Sequence, residues 1–404
     1  MTQLFKMAFR NLGRNRRRSI LSAMAVAMGL ALLLLIASVV AGEMRGAMTN
    51  TIALESAHLQ IRAASYDENK VSLDWKHLVA SPQKIVDQLS ALPQVESATP
   101  RLFATGIVTV GDQSRGVQVI GIDPAASASQ IFRRGILAGD FLAADDRNSV
   151  LIGKPMADKL KMTVGSPINL LVNLSDGGVD QQLFTVKGIY TTSNTGYDEN
   201  TVFLPLAKAQ VFTGAQDHAS TILVYLHDRD QAEAVAAAVS APDFQVLTWQ
   251  KMNELIVQYE DFANAYMVIL YLIVLGITAT VVTNTLVMAV FERTREFGVL
   301  AAIGMKGRRI MAQMLTEAGL LATGGVIVGL VLGILVVLYF TRYGIYVGNY
   351  GISGMLLGDN IYAYLTLQNV VSLTIATYVI TLIASLYPAI LAAQLEPIEA
   401  LHAQ

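Results

Sequence analysis

Residues 262–291 read FANAYMVILYLIVLGITATVVTNTLVMAVF and contain no Asp, Glu, Lys or Arg. A helix needs roughly 20 apolar residues to cross the hydrocarbon core of a bilayer, and this run is longer. It predicts a membrane-spanning helix. Three further runs repeat the pattern: Ser19–Ala41, Met311–Phe340 and Leu367–Ala393. Glu317 is the lone acidic or basic residue in the four runs. The chain is 53% hydrophobic and 15% charged, where soluble proteins carry roughly a quarter charged residues. The first run outlasts the roughly 7–15 apolar residues of a signal peptide and is followed by further spans, so it reads as a retained anchor.

Basic residues set the orientation. Lys6, Arg10, Arg14, Arg16, Arg17 and Arg18 precede the first run, and Arg293, Arg295, Lys306, Arg308 and Arg309 separate the second from the third. Positive charge beside span ends marks the cytoplasmic side. The fold class that follows is a polytopic α-helical membrane protein with four transmembrane helices and cytosolic N and C termini. A large mixed α+β extracytoplasmic domain, of two lobes on helical stalks, completes it. The expected segments are a cytosolic amphipathic basic helix (1–18), spans at 19–42, 262–291, 311–340 and 367–393, the external domain (43–261), a cytosolic loop (292–310), an external loop (341–366) and a cytosolic tail (394–404). The net charge of −2 and the lack of a basic patch with interleaved aromatics give no sign of nucleic-acid binding. Without cysteine, the external domain must be held by its own core.

Leu4, Phe5, Ala8, Phe9 and Leu12 share one face of an N-terminal helix, which suits the inner membrane surface. Met44, Met48 and Ile52 continue a helical stripe outward from the first span. Met252, Leu255, Ile256, Tyr259, Phe262 and Tyr266 lead into the second at i, i+3, i+4 and i+7 spacing. These stripes predict stalks at 43–57 and 250–261; core helices of the external domain are the plainer alternative. Between them, strand-like HLQIR (58–62), a helix opened by Ser81 and Pro82, and strands near 94–101, 104–110 and 116–121 form one series. STILVYL (220–226), a helix at 229–240 and a strand at 244–249 form another. Lobe one is therefore expected at 58–146 plus 220–249. The inserted lobe at 147–219 should carry a helix at 153–161 and a hairpin turn at Asp176-Gly177-Gly178.

Catalytic chemistry is not written here. No G-x-x-x-x-G-K-[ST] loop and no G-x-S-x-G elbow occurs, and the five histidines have no metal-ligand spacing. Asp145 and Asp146 beside Arg147 read as a solvated turn, and Tyr197-Asp198-Glu199 as a polar loop. Glu317, near the inner end of its span, reads as an interfacial residue. Gly325, Gly329 and Gly333 form overlapping G-x-x-x-G units that predict close helix–helix contact, within or between subunits. No catalytic, cofactor or metal site is expected.

The loop REFGVLAAIGMKGRR (295–309) is better equipped than a linker needs to be. Phe297, Leu300, Ala301 and Gly304 fall on one side of a short helix ringed by Arg293, Arg295, Glu296 and Arg309. Such a helix could lie against lipid headgroups. Gly298 and Gly304 favour close approach by another backbone, and hence docking of a protein.

REFGVLAAIGMK resembles the coupling-helix signature of the FtsX-like, MacB-type (type VII) ABC transporter permeases. AFRNLGRNRRRSILSAMAVAMG (8–29) is similar to that family's entry helix and first span. SLYPAILAAQLEPIEAL (385–401) is similar to its ending, with Pro388, Ala392, Ala393, Pro397, Ile398, Glu399, Ala400 and Leu401 in matching positions. The resemblance implies a pair of permeases, a second copy or a paralogue, with two cytosolic ATPases that bind the ATP and Mg. Arg295, Glu296, Phe297, Gly298, Val299, Leu300, Ala302, Ile303 and Gly304 would be its ATPase-docking residues. It implies mechanotransmission, in which ATP-driven closure moves stalks and external lobes. VQVIGIDPAAS (117–127) resembles the lipoprotein-releasing LolC/LolE branch, which hands lipoproteins from the inner membrane to a periplasmic carrier. Met44, Met48, Met252, Ile256 and Tyr259 are then the stalk residues expected beside substrate. The alternatives are efflux of periplasmic peptides or antibiotics, and FtsX-like regulation of cell-wall hydrolases.

Overall fold

The computed structural model describes residues 2–14, 16–67, 72–348, 356 and 358–394. The side chains of Leu4, Phe5 and Leu255, the tail positions Pro397, Ile398, Glu399, Ala400 and Leu401, and His402 lie outside the described residues. The chain forms two compact units. One comprises Met1–Arg45, Glu260–Ile345 and Ile361–Gln404, the other Gly46–Tyr259 and Tyr346–Asn360.

Among the described residues, four helices are long and apolar enough to cross a membrane: Arg16–Ser56, Ile256–Glu292, Gly307–Tyr343 and Leu367–Ala393. Lipid gives apolar side chains no incentive to leave it, so packing between such helices relies on close backbone approach. The third span supplies that approach to the first. A Cβ at Gly325 would lie 2.8 Å from the Ala23 carbonyl oxygen, one at Gly329 2.8 Å from that of Ala27, and one at Gly333 3.1 Å from Ala31 Cα. The glycine stripe thus makes its contact inside this chain. Elsewhere Thr283 Oγ1 donates to the Ala384 carbonyl at 3.0 Å, joining the second span to the fourth.

Among the described residues, the strands of the second unit include β1 (Leu59–Ala63), β2 (Val79–Ala80), β3 (Val95–Val110), β4 (Gln113–Ile122), β5 (Ile136–Gly139), β6 (Ser149–Gly153), β7 (Pro167–Asn173), β8 (Val179–Tyr190), β9 (Thr201–Pro205), β10 (His218–Ala219), β11 (Thr221–Leu226) and β12 (Phe244–Thr248). The order β12-β1-β11-β3 is antiparallel throughout. Helices Pro82–Ser90 and Ala232–Val239 bury Val86, Leu89, Ala232 and Val235 with Leu59, Ile61, Ile222 and Val224 of the sheet. This is a split β-α-β lobe. The other lobe is a ring. β3 pairs β4, β4 pairs β9, β9 pairs β6, β6 pairs β8, β8 pairs β7, and β7 returns to β3. Closure leaves these strands no free edge and encloses Val108, Val119, Ile152, Leu170, Phe184 and Val202.

The border between lobes differs from the one expected at 146/147. Strands predicted near 94–101 and 104–110 are one strand, β3, whose first half pairs β11 up to Arg101 and whose second half pairs β4 from Leu102. β4 therefore belongs to the barrel. Ser81 precedes its helix in left-handed backbone (φ 46°) and makes no capping bond; its Oγ donates to Asp217 Oδ2 at 2.8 Å instead. Asp146 is no freely solvated turn residue, for it accepts from the Ala143 N–H at 2.8 Å and from Lys187 Nζ at 2.6 Å.

Tyr197-Asp198-Glu199 departs furthest from expectation. All three are buried, in the helix Thr195–Asn200 capped by the Asn194 side chain. Asp198 accepts from Thr191 Oγ1 and from the N–H and Oγ1 of Thr192, and Glu199 accepts from Arg115 and Lys159. Burial pushes the Asp198 carboxyl up despite these donors. From the loop expected at 341–366, Asp359 accepts from the Thr195 N–H at 3.1 Å and from Thr195 Oγ1 at 2.9 Å, within this second unit.

Candidate functional site

The loop between the second and third spans folds as the helix Thr294–Ala302. Its sequence explains its ending. Gly304 has φ 93°, a conformation costly for any residue with a Cβ, and lets the chain reverse. The Gly304 N–H bonds to the Ala301 carbonyl and the Met305 N–H to that of Leu300, both at 3.0 Å. This is a Schellman ending, which satisfies carbonyls the helix leaves bare. Phe297 and Gly298 are buried, and Phe297 sits among Val290, Ile310, Met314, Ala389 and Ala392.

That placement sorts the nine residues expected to dock an ATPase. Arg295, Glu296, Val299, Ala302, Ile303 and Gly304 are exposed, with Ile303 75% and Val299 47% accessible. Phe297 and Gly298 face inward and Leu300 is half-buried, so these three anchor the helix and do not present it. The apolar stripe read from the sequence is the inner face. The outward patch is Val299, Ala302 and Ile303, flanked by Arg295 and Glu296.

Glu317 is not an interfacial residue. It is buried, and Arg293 Nη1 donates to its two oxygens at 3.1 and 3.0 Å. A carboxylate cannot leave water alone at such cost; it needs a partner. The usable signal in the sequence was Arg293 across the hairpin loop. Glu296 pairs with Arg14 and accepts from Arg293 Nε at 3.1 Å. Burial would raise the Glu296 carboxyl, but these two donors outweigh it and hold it below the usual glutamate range.

The residues expected on the stalks are not freely exposed. Met48 and Ile256 are buried, while Met44, Met252 and Tyr259 are half-buried. A kink at Asn253 separates the short helix Trp249–Met252 from the long helix that follows. Met252 lines a polar cavity of about 320 Å³ with Thr51, Gln60, Arg62, Gln118 and Asn253. Among the described residues, no group of three His, Asp or Glu could hold a metal ion.

Two family profiles match this chain. The one described as MacB-like periplasmic core domain matches residues 19–241, and the FtsX-like permease C-terminal profile matches 268–397. The chain is 26% identical over 346 residues to the lipoprotein-releasing system transmembrane protein LolE of Haemophilus influenzae, covering 79% of this chain and 80% of that one. It is 23% identical over 385 residues to the corresponding LolC of Neisseria meningitidis serogroup B, covering 89% and 87%. Against the macrolide export ATP-binding/permease protein MacB of Marinobacter nauticus it is 24% identical over 351 residues, covering 82% of this chain and 52% of that protein. These matches define an ABC transporter permease, multi-pass in the inner membrane with a periplasmic domain. The chain belongs to the MacB- and FtsX-like permease family, the type that includes LolC and LolE.

Proposed function

We propose that the exposed face of the Thr294–Ala302 helix receives a separate cytosolic ATPase, which binds ATP and Mg, and that this permease passes the resulting motion to its periplasmic lobes. The observation that carries the reading is the isolated apolar patch of Val299, Ala302 and Ile303 on an anchored, charge-flanked helix. Small apolar hot spots ringed by polar groups are what protein docking uses. Ile303→Arg keeps the inner face intact and should weaken co-purification with the ATPase by about 10-fold or more, a loss of roughly 1.4 kcal/mol. Undiminished co-purification sinks the docking reading.

The cargo we propose is lipoprotein, extracted from the inner membrane by a pair of such permeases and passed to a periplasmic carrier. Similarity to the lipoprotein-releasing proteins over most of both chains supports it. A photocrosslinker at half-buried Met252 should capture a triacylated lipoprotein in proteoliposomes. Capture of soluble peptide alone would favour efflux, the reading that the macrolide and pyoverdine export relatives support.

A further inference from the structure

Behind the docking face, two elements meet on one guanidinium, and a third meets its two carboxylate partners. Arg293 reaches the third span through Glu317 and the loop helix through Glu296, and its guanidinium lies 5.0 Å from the centre of the Phe297 ring. The N-terminal helix Thr2–Arg14 joins from the other side. Asn11 Nδ2 donates to Glu317 Oε1 at 2.6 Å, and Arg14 pairs with Glu296. Gln313 Nε2 adds a bond to Glu317 Oε1 at 3.4 Å. The Arg293 and Glu317 side chains are only 8% and 7% exposed.

Cohesion alone does not call for this arrangement. Two packed apolar side chains of similar volume hold neighbouring helices as well as a buried ion pair, and often better. What a guanidinium adds is direction, since its planar fork meets a carboxylate in few orientations, whereas apolar contacts slide. We infer that Arg293 and Glu317 are a positioning pair, fixing the loop helix against the third span and the N-terminal helix so that a push on the docking face is delivered to the span. The inference rests on the docking reading above.

The chain has no cysteine, so a single Val179→Cys substitution can carry one environment-sensitive dye at a site 66% exposed on β8. In proteoliposomes with the ATPase, ATP should change the dye signal of this parent. The double variant Arg293→Met/Glu317→Leu should insert, co-purify with the ATPase and hydrolyse ATP like the parent. Its dye response should fall by about fivefold, within the range of coupling energies between distant sites. Arg293→Lys keeps the charge but loses the fork, and should give an intermediate response. A full response in the double variant, whose packing is restored but whose geometry is not, overturns the inference while leaving docking intact. If the double variant does not insert, a full response in Arg293→Lys does the same. A parent that neither binds the ATPase nor responds to ATP overturns the docking reading, and the inference with it.

Discussion

The third span holds its neighbours in two unlike ways. Toward its middle, Gly325, Gly329 and Gly333 let the first span approach until backbone touches backbone. At its start, Glu317 holds the loop and the N-terminal helix through charge and hydrogen bonds. The first contact depends on having no side chain at all. The second depends on having the right ones. A dry contact tolerates no added atom, while a charged one tolerates no missing partner.

Removing a partner should be the harsher injury. Glu317→Leu takes from Arg293 its buried partner and leaves it only the more exposed Glu296, and should cost about 3 kcal/mol or more, read as a lowered melting temperature in detergent. A milder loss than that of a glycine variant would break the comparison. Gly329→Leu forces a side chain against the Ala27 backbone and should cost roughly 1–3 kcal/mol, measured by the same melt. Because the two contacts share no partner, the double variant should show additive losses, and strong coupling would mean the span responds as one piece.

Smaller effects sharpen the picture at the loop. Gly304→Ala puts a Cβ on left-handed backbone and should cost about 1 kcal/mol, visible as faster hydrogen exchange at Gly304 and Met305. The gentlest lever is pH. The Glu296 carboxyl lies below its ordinary value, so its contribution is fully present above about pH 4.3 and is lost as pH falls through the lowered value. Exchange protection of the Thr294–Ala302 helix should therefore hold steady from neutral pH to near 5 and weaken only in stronger acid. In a Glu296→Gln variant that acid step should disappear.

The spans were legible because a run of apolar residues needs no partner to be recognised. The glycine stripe was legible for a similar reason, since small residues at fixed spacing announce a contact on one helix face. What escaped were pairings. Glu317 looked interfacial because its partner Arg293 stands 24 positions upstream, beyond any helical period. Tyr197-Asp198-Glu199 looked like a polar loop because Asn and Gly crowd around it. Its donors come from Thr191, Thr192, Arg115 and Lys159, and only the fold assembles those. The barrel escaped for the same cause, because its closure hangs on the register Gly106↔Val172 between β3 and β7. In the loop helix the apolar period was read correctly, but the face it marked is the one the protein keeps for itself.

β3 is 16 residues long, roughly 50 Å at about 3.3 Å per residue, and it is laced into a different partner set along each half. A strand clamped in two ladders works as a splint. At the border itself the Ser220 N–H bonds to the Arg101 carbonyl and the Phe103 N–H to Ser220 Oγ, both at 2.9 Å, so the periplasmic lobes cannot fold toward each other there without straining those bonds. Force applied to the split β-α-β lobe should therefore reach the barrel as a lever arm transmits it, with little lost to bending at the joint.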